Sequence, residues 1–575
     1  MENRTCQNCK NNFVIEEDDF SFYEKMQVPR PTFCPECRLI RRLASRNERS
    51  LYRRECDLCK KKVLSMYSPE TSLPVYCPTC WWSDNWNPTD YSRDYDLSRP
   101  FFEQYLEFKN MVPHEALYQS NFVNSEYANF GDNYRDCYLV SGGWDNERLY
   151  YAHQANNVVD SFDILLGSHL EFCYDTLQSS RSSQLKYCNA CEDSSDLFMC
   201  TDCRGCVSCF GCVGLRNKQY NVFNQQYSKT EYEDFIGKIE VDKYSSLEET
   251  RKQFNEFRLT RPYQSSRTRN SVECTGDNVI NSKNAKSSWA VNNVEDVSYN
   301  FFLAGQKECR DLSFVGKAGE RLYEIGNSFG GENQIVGVRT LFDRNSFYSE
   351  DCHNCNDIFG CIGLKKKSYC IFNKEYSKEE FEILRDKIIA DMKARPHVDS
   401  KNRTYSFGDF WPIECQPFAY NETKAQEYFP LTKEETLEKG YRWKEREDRQ
   451  YAITHEAADL PDSILEAGDD ISDAVIGCGH KGMCNDNCTR AFKILKAEIQ
   501  FCKRMNVPLP RLCPNCRHME RVRKQNPLKL WKRSCMCTQE NHDHSNVCQN
   551  EFDTSYAPER PEIIYCEKCY QQEVV

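Results

Sequence analysis

Eight cysteines near the start of the chain fall in pairs separated by two residues. Cys6 and Cys9 are followed after 24 residues by Cys34 and Cys37, and Cys56 and Cys59 after 17 by Cys77 and Cys80. Two intervening residues let both sulfurs of a pair reach one ion. Two pairs then close a tetrahedral four-thiolate shell with no position open for a substrate, which is structural chemistry rather than catalysis. Pro35 and Pro78 lie inside the second pair of each set, where a fixed φ favours a tight turn. A module this small cannot build a sufficient core. Zinc binding, worth roughly 10–16 kcal/mol apparent, becomes its folding energy, so each ribbon is expected to be a local folding unit. The spacing predicts tandem zinc ribbons at 1–45 and 46–98.

A degenerate copy of the pair returns at the other end. A shift of 479 places Cys9, Phe13, Phe22, Met26, Val28, Pro29, Cys34 and Cys37 on Cys488, Phe492, Phe501, Met505, Val507, Pro508, Cys513 and Cys516. Cys502 falls on Tyr23 and is not a candidate ligand. Asn485 stands where the first cysteine would fall, leaving Cys484 or Cys478 as the fourth ligand. A shift of 489 places Cys59, Tyr67, Pro69, Cys77 and Cys80 on Cys548, Tyr556, Pro558, Cys566 and Cys569. Cys56 corresponds to Cys535, with Cys537 an alternative across an insertion holding His542 and His544, which read as exposed loop residues. Ribbons 3 and 4 are thus expected at 476–525 and 526–575, and about four Zn2+ per chain.

The stretch from Cys6 to Arg42 resembles the bacterial family of probable zinc-ribbon or zinc-binding domains. The residues that carry the likeness are Cys6, Cys9, Phe13, Phe22-Tyr23, Pro29 and the run Cys34-Pro35-Glu36-Cys37-Arg38. It covers under a tenth of the chain and implies metal binding only. The whole layout resembles an uncharacterised large zinc-ribbon protein type of small-genome bacteria.

A strongly basic connector joins the ribbons. Ten basic residues between Arg38 and Lys62 face three acids, although the whole chain carries a net charge of −12. Arg38, Arg42, Arg46, Arg49 and Arg53 follow three- and four-residue steps, which would align them on one helical face. Arg517, Arg521, Arg523 and Lys524 repeat the pattern between ribbons 3 and 4. Such stripes suit phosphate contacts with a nucleic-acid partner; the plainer reading is a solvated face paired with acids elsewhere in the protein.

The middle has a different texture. Aromatic or apolar pairs recur from Cys137-Tyr138 to Tyr220-Asn221 at 11 to 13 residues, apart from a doubled first gap, and Cys188, Cys200 and Cys212 stand 12 apart. A fixed short period with β-type residues and polar turns is the mark of a solenoid. The coil is either 12 residues or half a rung of about 24. Cys200, Cys203, Cys206, Cys209 and Cys212 step by three, which reads better as a ladder of buried thiols than as an iron–sulfur run.

Phe210-Gly211-Cys212-Val213-Gly214-Leu215 returns 149 residues later as Phe359-Gly360-Cys361-Ile362-Gly363-Leu364. Each copy enters a helix through a capping box, Ser228 with Glu231 and Ser377 with Glu380. The fold class expected is mostly β and multidomain. Tandem zinc ribbons at both ends flank two duplicated β-solenoid arms with capping helices, at 99–262 and 263–400. An aromatic segment from Trp81 to Phe102 should dock the ribbons onto the next domain. Residues 401–475 read as a charged linker region, with Lys424 to Arg449 helical in pattern and Asp459 to Asp473 exposed.

Thirty-five cysteines without an apolar leader or an 18-residue apolar run argue for thiols and metal in a reducing cytoplasm. The function expected is a zinc-binding, non-enzymatic scaffold that contacts RNA, ribosome or a protein partner through the connectors. A β-helix carbohydrate-active enzyme and a cysteine-rich metal or redox protein are the alternatives. For the first, only His114, His153, His169 and His353 fall in the repeating coils, with no catalytic grouping.

Overall fold

Asn, Asp and Gly recur in the middle of the chain because the backbone there must turn at every third residue. In the computed structural model, which describes residues 1–445, 451–544 and 546–574, every third residue from Phe130 to Phe223 has a positive φ. Strand partners stand 12 residues apart and run parallel, as in Ser141 beside His153, Phe162 beside Tyr174 and Leu197 beside Cys209. One coil is therefore 12 residues, with four three-residue sides and a left-handed corner at each. Asn and Asp tolerate that conformation better than other side-chain-bearing residues, and Asn amides donate to Asp carboxylates from coil to coil. Asn133 donates to Asp145 at 2.8 Å and Asn345 to Asp357 at 3.0 Å.

The residue after each corner points into the lumen. Cys137, Val140, Leu149, Ala152, Ala155 and Val158 are all buried. Cys200, Cys203, Cys206 and Cys209 are the four inward positions of a single coil, while Cys188, Cys200 and Cys212 stack along one wall. Cys200 Sγ donates towards the carbonyls of Phe198 and Cys209, each at 3.5 Å, and Cys212 repeats the contact one coil on. The step of three is thus a lumen packed with small thiols. The chain is mostly β, 34% strand and 23% helix, with a solenoid of about 21 turns in the middle and cysteine clusters near both ends.

The second arm repeats the first with one extra residue. Positive φ steps from Lys317 to Arg321 rather than to the residue before it, so the offset between arms is 148 before that point and 149 after. Asp343 occupies an inward position there. Cys355 N–H donates to its Oδ1 at 2.8 Å, while burial pushes its pKa up to about 8. Its proton is held more tightly folded than unfolded. The stabilising contribution is therefore complete below the ordinary carboxylate range and is lost as pH rises towards 8. Asp343→Asn should raise stability at pH 8 by on the order of a few kcal/mol and leave it nearly unchanged at pH 4. Denaturation midpoints at the two pH values check this, and an equal shift at both would refute it.

Both capping boxes form, at Ser228 and Ser377, and open the helices Lys229–Ile236 and Lys378–Ala394. After the first, the chain breaks and resumes as Tyr244–Arg258. A further helix spans Phe101–Lys109.

Three regions differ from the sequence reading. The aromatic segment docks on the second arm, not on the next one in the chain. Trp81 is fully buried, and a Cβ at Gly363 would meet its ring at 3.0 Å. Phe101 stacks on Phe372 at 5.6 Å. Ribbon 1 is not an isolated unit either. Phe13, Phe22, Tyr23 and Met26 share one buried cluster with Tyr323, Ile335 and Tyr348 of the second arm.

Residues 401–475 are not a free linker. Tyr405, Phe407, Phe410 and Trp411 complete that same cluster, and Leu460, Ile464 and Ile471 pack on ribbon 3. The acids of that last stretch sit between apolar residues whose burial the charge count hid. Short helices form at Lys424–Tyr428 and Lys433–Glu438, and Arg449 lies outside the described residues.

Candidate metal centres

Each ribbon is a short hairpin followed by a helix that begins at its second cysteine pair. In ribbon 1 the strands Glu2–Thr5 and Asn12–Ile15 pair antiparallel, and Cys34 caps the helix Pro35–Ala44. The proline at the first helical position is preset for it. Cys513 caps Pro514–Arg523 in the same way. Four sets of sulfurs converge: Cys6, Cys9, Cys34 and Cys37; Cys56, Cys59, Cys77 and Cys80; Cys478, Cys488, Cys513 and Cys516; and Cys535, Cys548, Cys566 and Cys569.

An ion bound tetrahedrally at about 2.3 Å requires sulfurs about 3.8 Å apart. Cys9 and Cys34 are 3.7 Å apart, Cys59 and Cys77 4.0 Å, Cys478 and Cys516 3.9 Å, and Cys548 and Cys566 4.0 Å. All four sets could hold a metal ion. Cys478 takes the fourth position in ribbon 3, while Cys484 lies beside it, 3.6 Å from Cys516. Cys535 takes it in ribbon 4, and Cys537 belongs to a neighbouring group.

The arginine connectors point inward. Arg38 and Arg42 both reach Asp311, at 2.9 and 3.1 Å, and Arg42 also reaches Glu324 at 2.8 Å. All four side chains are buried. Arg46 pairs with Glu48, and its guanidinium lies 4.3 Å from the ring of Phe130 in the first arm and 4.2 Å from Phe314 in the second. Glu48 meets His153 of the first arm at 2.8 Å. Burial alone would raise Glu48, but Arg46, His153 and Lys424 outweigh it and hold the carboxyl well below the usual range. Arg49 is half-buried and donates to Asn515 at 3.1 Å.

Arg517 and Arg521 repeat the arrangement on the first arm. Arg517 reaches Asp163 at 3.2 Å and Glu498 at 2.7 Å, while Arg521 reaches Asp163 at 2.7 Å and Asp175 at 3.1 Å. A shift of 479 carries Arg38 and Arg42 onto Arg517 and Arg521. The arm offsets of 148 and 149 carry Asp163 and Asp175 onto Asp311 and Glu324. One interface exists twice, so the phosphate-contact expectation is corrected for Arg38, Arg42, Arg46, Arg517 and Arg521. Helical spacing finds a common face for Arg38 and Arg42 but not which way it looks, and the helix ends at Ala44, so Arg46 and Arg49 lie beyond it and Arg53 stands on the strand Tyr52–Glu55. Arg53, Arg523 and Lys524 remain exposed, and the last two pair with Asp486 at 2.7 Å and Asp175 at 3.5 Å.

The second ribbon of each pair completes the interlock. Val75–Tyr76 pairs in parallel with His114–Glu115 at the start of the first arm, while Trp81 docks near the end of the second. Ile563–Tyr565 pairs with Pro262–Gln264 at the start of the second arm. Tyr570, the counterpart of Trp81, lies at the end of the first, 3.3 Å from where a Cβ at Gly214 would be. Each ribbon pair therefore clamps the beginning of one arm to the end of the other. Two of the arm histidines, His114 and His353, meet around Asp351, the second through the Tyr118 hydroxyl at 3.4 Å. His114 faces Asp351 at 3.7 Å and His153 faces Glu48, both inside these interfaces. Among the described residues no helix is long and apolar enough to cross a membrane. No protein-family model matches the chain, and a comparison with curated proteins finds no significant relative.

Proposed function

We propose that the protein is a zinc-binding, non-enzymatic cytoplasmic scaffold, in which metal-closed ribbons lock two solenoid arms into one rigid body. The observation that carries this is the doubled clamp, in which each four-cysteine cluster supports a module packed into the interface between ribbons and arms. Four thiolates leave no open coordination position, so the metal's contribution is folding energy rather than chemistry. Kinship of ribbon 1 with the probable zinc-ribbon family belongs to the same reading. With the buried arginines committed to the arms, a protein or RNA partner must be met by the outer surface, where Arg53, Arg523 and Lys524 are exposed.

Elemental analysis of metal-replete protein should find at least one zinc for each of the four clusters. Two or fewer would remove the two-ended reading. Purification from native lysate, with and without nuclease, identifies the partner; a nuclease-resistant protein is the expected catch. Recovery of enzymatic turnover on a carbohydrate panel would displace the scaffold reading.

A further inference from the structure

The insertion in ribbon 4 gathers a second set of ligands beside the first. Ribbon 2 has two residues between Cys56 and Cys59, whereas Cys535 and Cys548 are separated by 12. The added stretch 538–547 is polar, with Val547 its one aliphatic residue, so it has little apolar surface to fold around. His542 nevertheless is buried, and so is Cys537. His542 Nδ1 lies 3.1 Å and His544 Nε2 3.3 Å from Cys537 Sγ. The ligand atoms of Cys537, His542, His544 and Cys569 all fall within 4.8 Å of one another.

We propose that these four residues bind a second divalent metal ion of the zinc type, and that Cys569 bridges it to the ion in the four-cysteine cluster of ribbon 4. The inference rests on the zinc reading of that cluster. Two thiolates and two imidazoles are an ordinary donor set for such an ion, and Cys569 is common to both sets. Sulfur–nitrogen edges in a tetrahedral shell are roughly 3.6 Å, so the imidazoles need to open by only a few tenths of an ångström. The far nitrogen of His542 faces Glu573 at 3.9 Å, the carboxylate placement that orients ligating histidines. His544 Nδ1 is buried with no hydrogen-bond partner among the described residues. Charge favours the pair as well. One dication with four thiolates carries −2, and adding a second dication with one further thiolate brings the assembly to −1.

The test uses the full-length, metal-replete protein. The wild type should hold one equivalent more than the double variant His542→Asn/His544→Asn, measured by elemental analysis on folded samples. Equal metal content in the two would overturn the proposal while leaving the four-thiolate reading intact. Absence of metal from ribbon 4 altogether, shown by no loss of metal in Cys548→Ser, would instead defeat the underlying reading. Wild-type protein loaded with a spin-half cadmium isotope gives a result independent of variant folding. A mixed sulfur–nitrogen resonance coupled through the shared thiolate to an all-sulfur resonance is expected. Only all-sulfur resonances without that coupling would refute the bridge.

Discussion

Arg42→Met is expected to destabilise the protein by about 3–5 kcal/mol, because it leaves Asp311 and Glu324 buried with a missing counter-charge. Arg521→Met should cost a similar amount by exposing the same deficit at Asp163 and Asp175 on the other arm. Arg53→Gln is the matched control: its side chain is exposed, and the change should stay within about 0.5 kcal/mol. Denaturation curves for the three variants decide the matter. A small effect for Arg42→Met beside weakened RNA binding would return the connector to phosphate recognition. Neutralising the carboxylates as well should not recover the loss, because Asp311 also pairs with Arg38 and Glu324 with Arg41, and both arginines would be left buried without a counter-charge.

Cys6→Ser should have the second large effect, and it should reach beyond ribbon 1. The metal site it opens is worth roughly 10–16 kcal/mol apparent if zinc fills it, and the ribbon's apolar side chains lie in one cluster with Tyr323, Ile335 and Tyr348. Hydrogen exchange should therefore accelerate both in 1–45 and in the coils around Tyr323 and Tyr348. The first arm around Leu149 and Ile164, whose lumen is a separate cluster, should stay protected. Acceleration confined to ribbon 1 would show that the shared cluster is not a cooperative unit. A chelator should act similarly from both ends and increase the radius of gyration as the clamps release, while far-UV strand signal persists.

Much of this molecule is legible in its sequence. Cysteine pairs two residues apart can serve one ion only locally, so Cys6–Cys37 and Cys56–Cys80 read directly as closed shells. A 12-residue echo can be satisfied by stacking alone, so the arms and their duplication read directly too, as do both capping boxes. The corners are only partly written there: Asn, Asp and Gly hold about half of the every-third positions and residues such as Leu166, His169 and Tyr187 hold others, so the four-sided coil of 12 rather than about 24 is set by the backbone. The same corners explain why cysteines step by three.

What tertiary structure alone decided was direction and pairing. The spacing of Arg38 and Arg42 establishes a common helical face, but a buried salt bridge and a phosphate-binding stripe share that spacing. Only the placement of Asp311 and Glu324, some 270 to 280 residues away, distinguishes them. The choice of Cys478 over Cys484, and of Cys535 over Cys537, depends on which sulfur the folded hairpin brings to the cluster. The burial of His542 depends on a loop closing over a neighbouring shell. Local patterns determined the modules, because their forces act within a few residues. The clamp of each ribbon pair across both arms arises from contacts hundreds of residues apart, which no local pattern encodes.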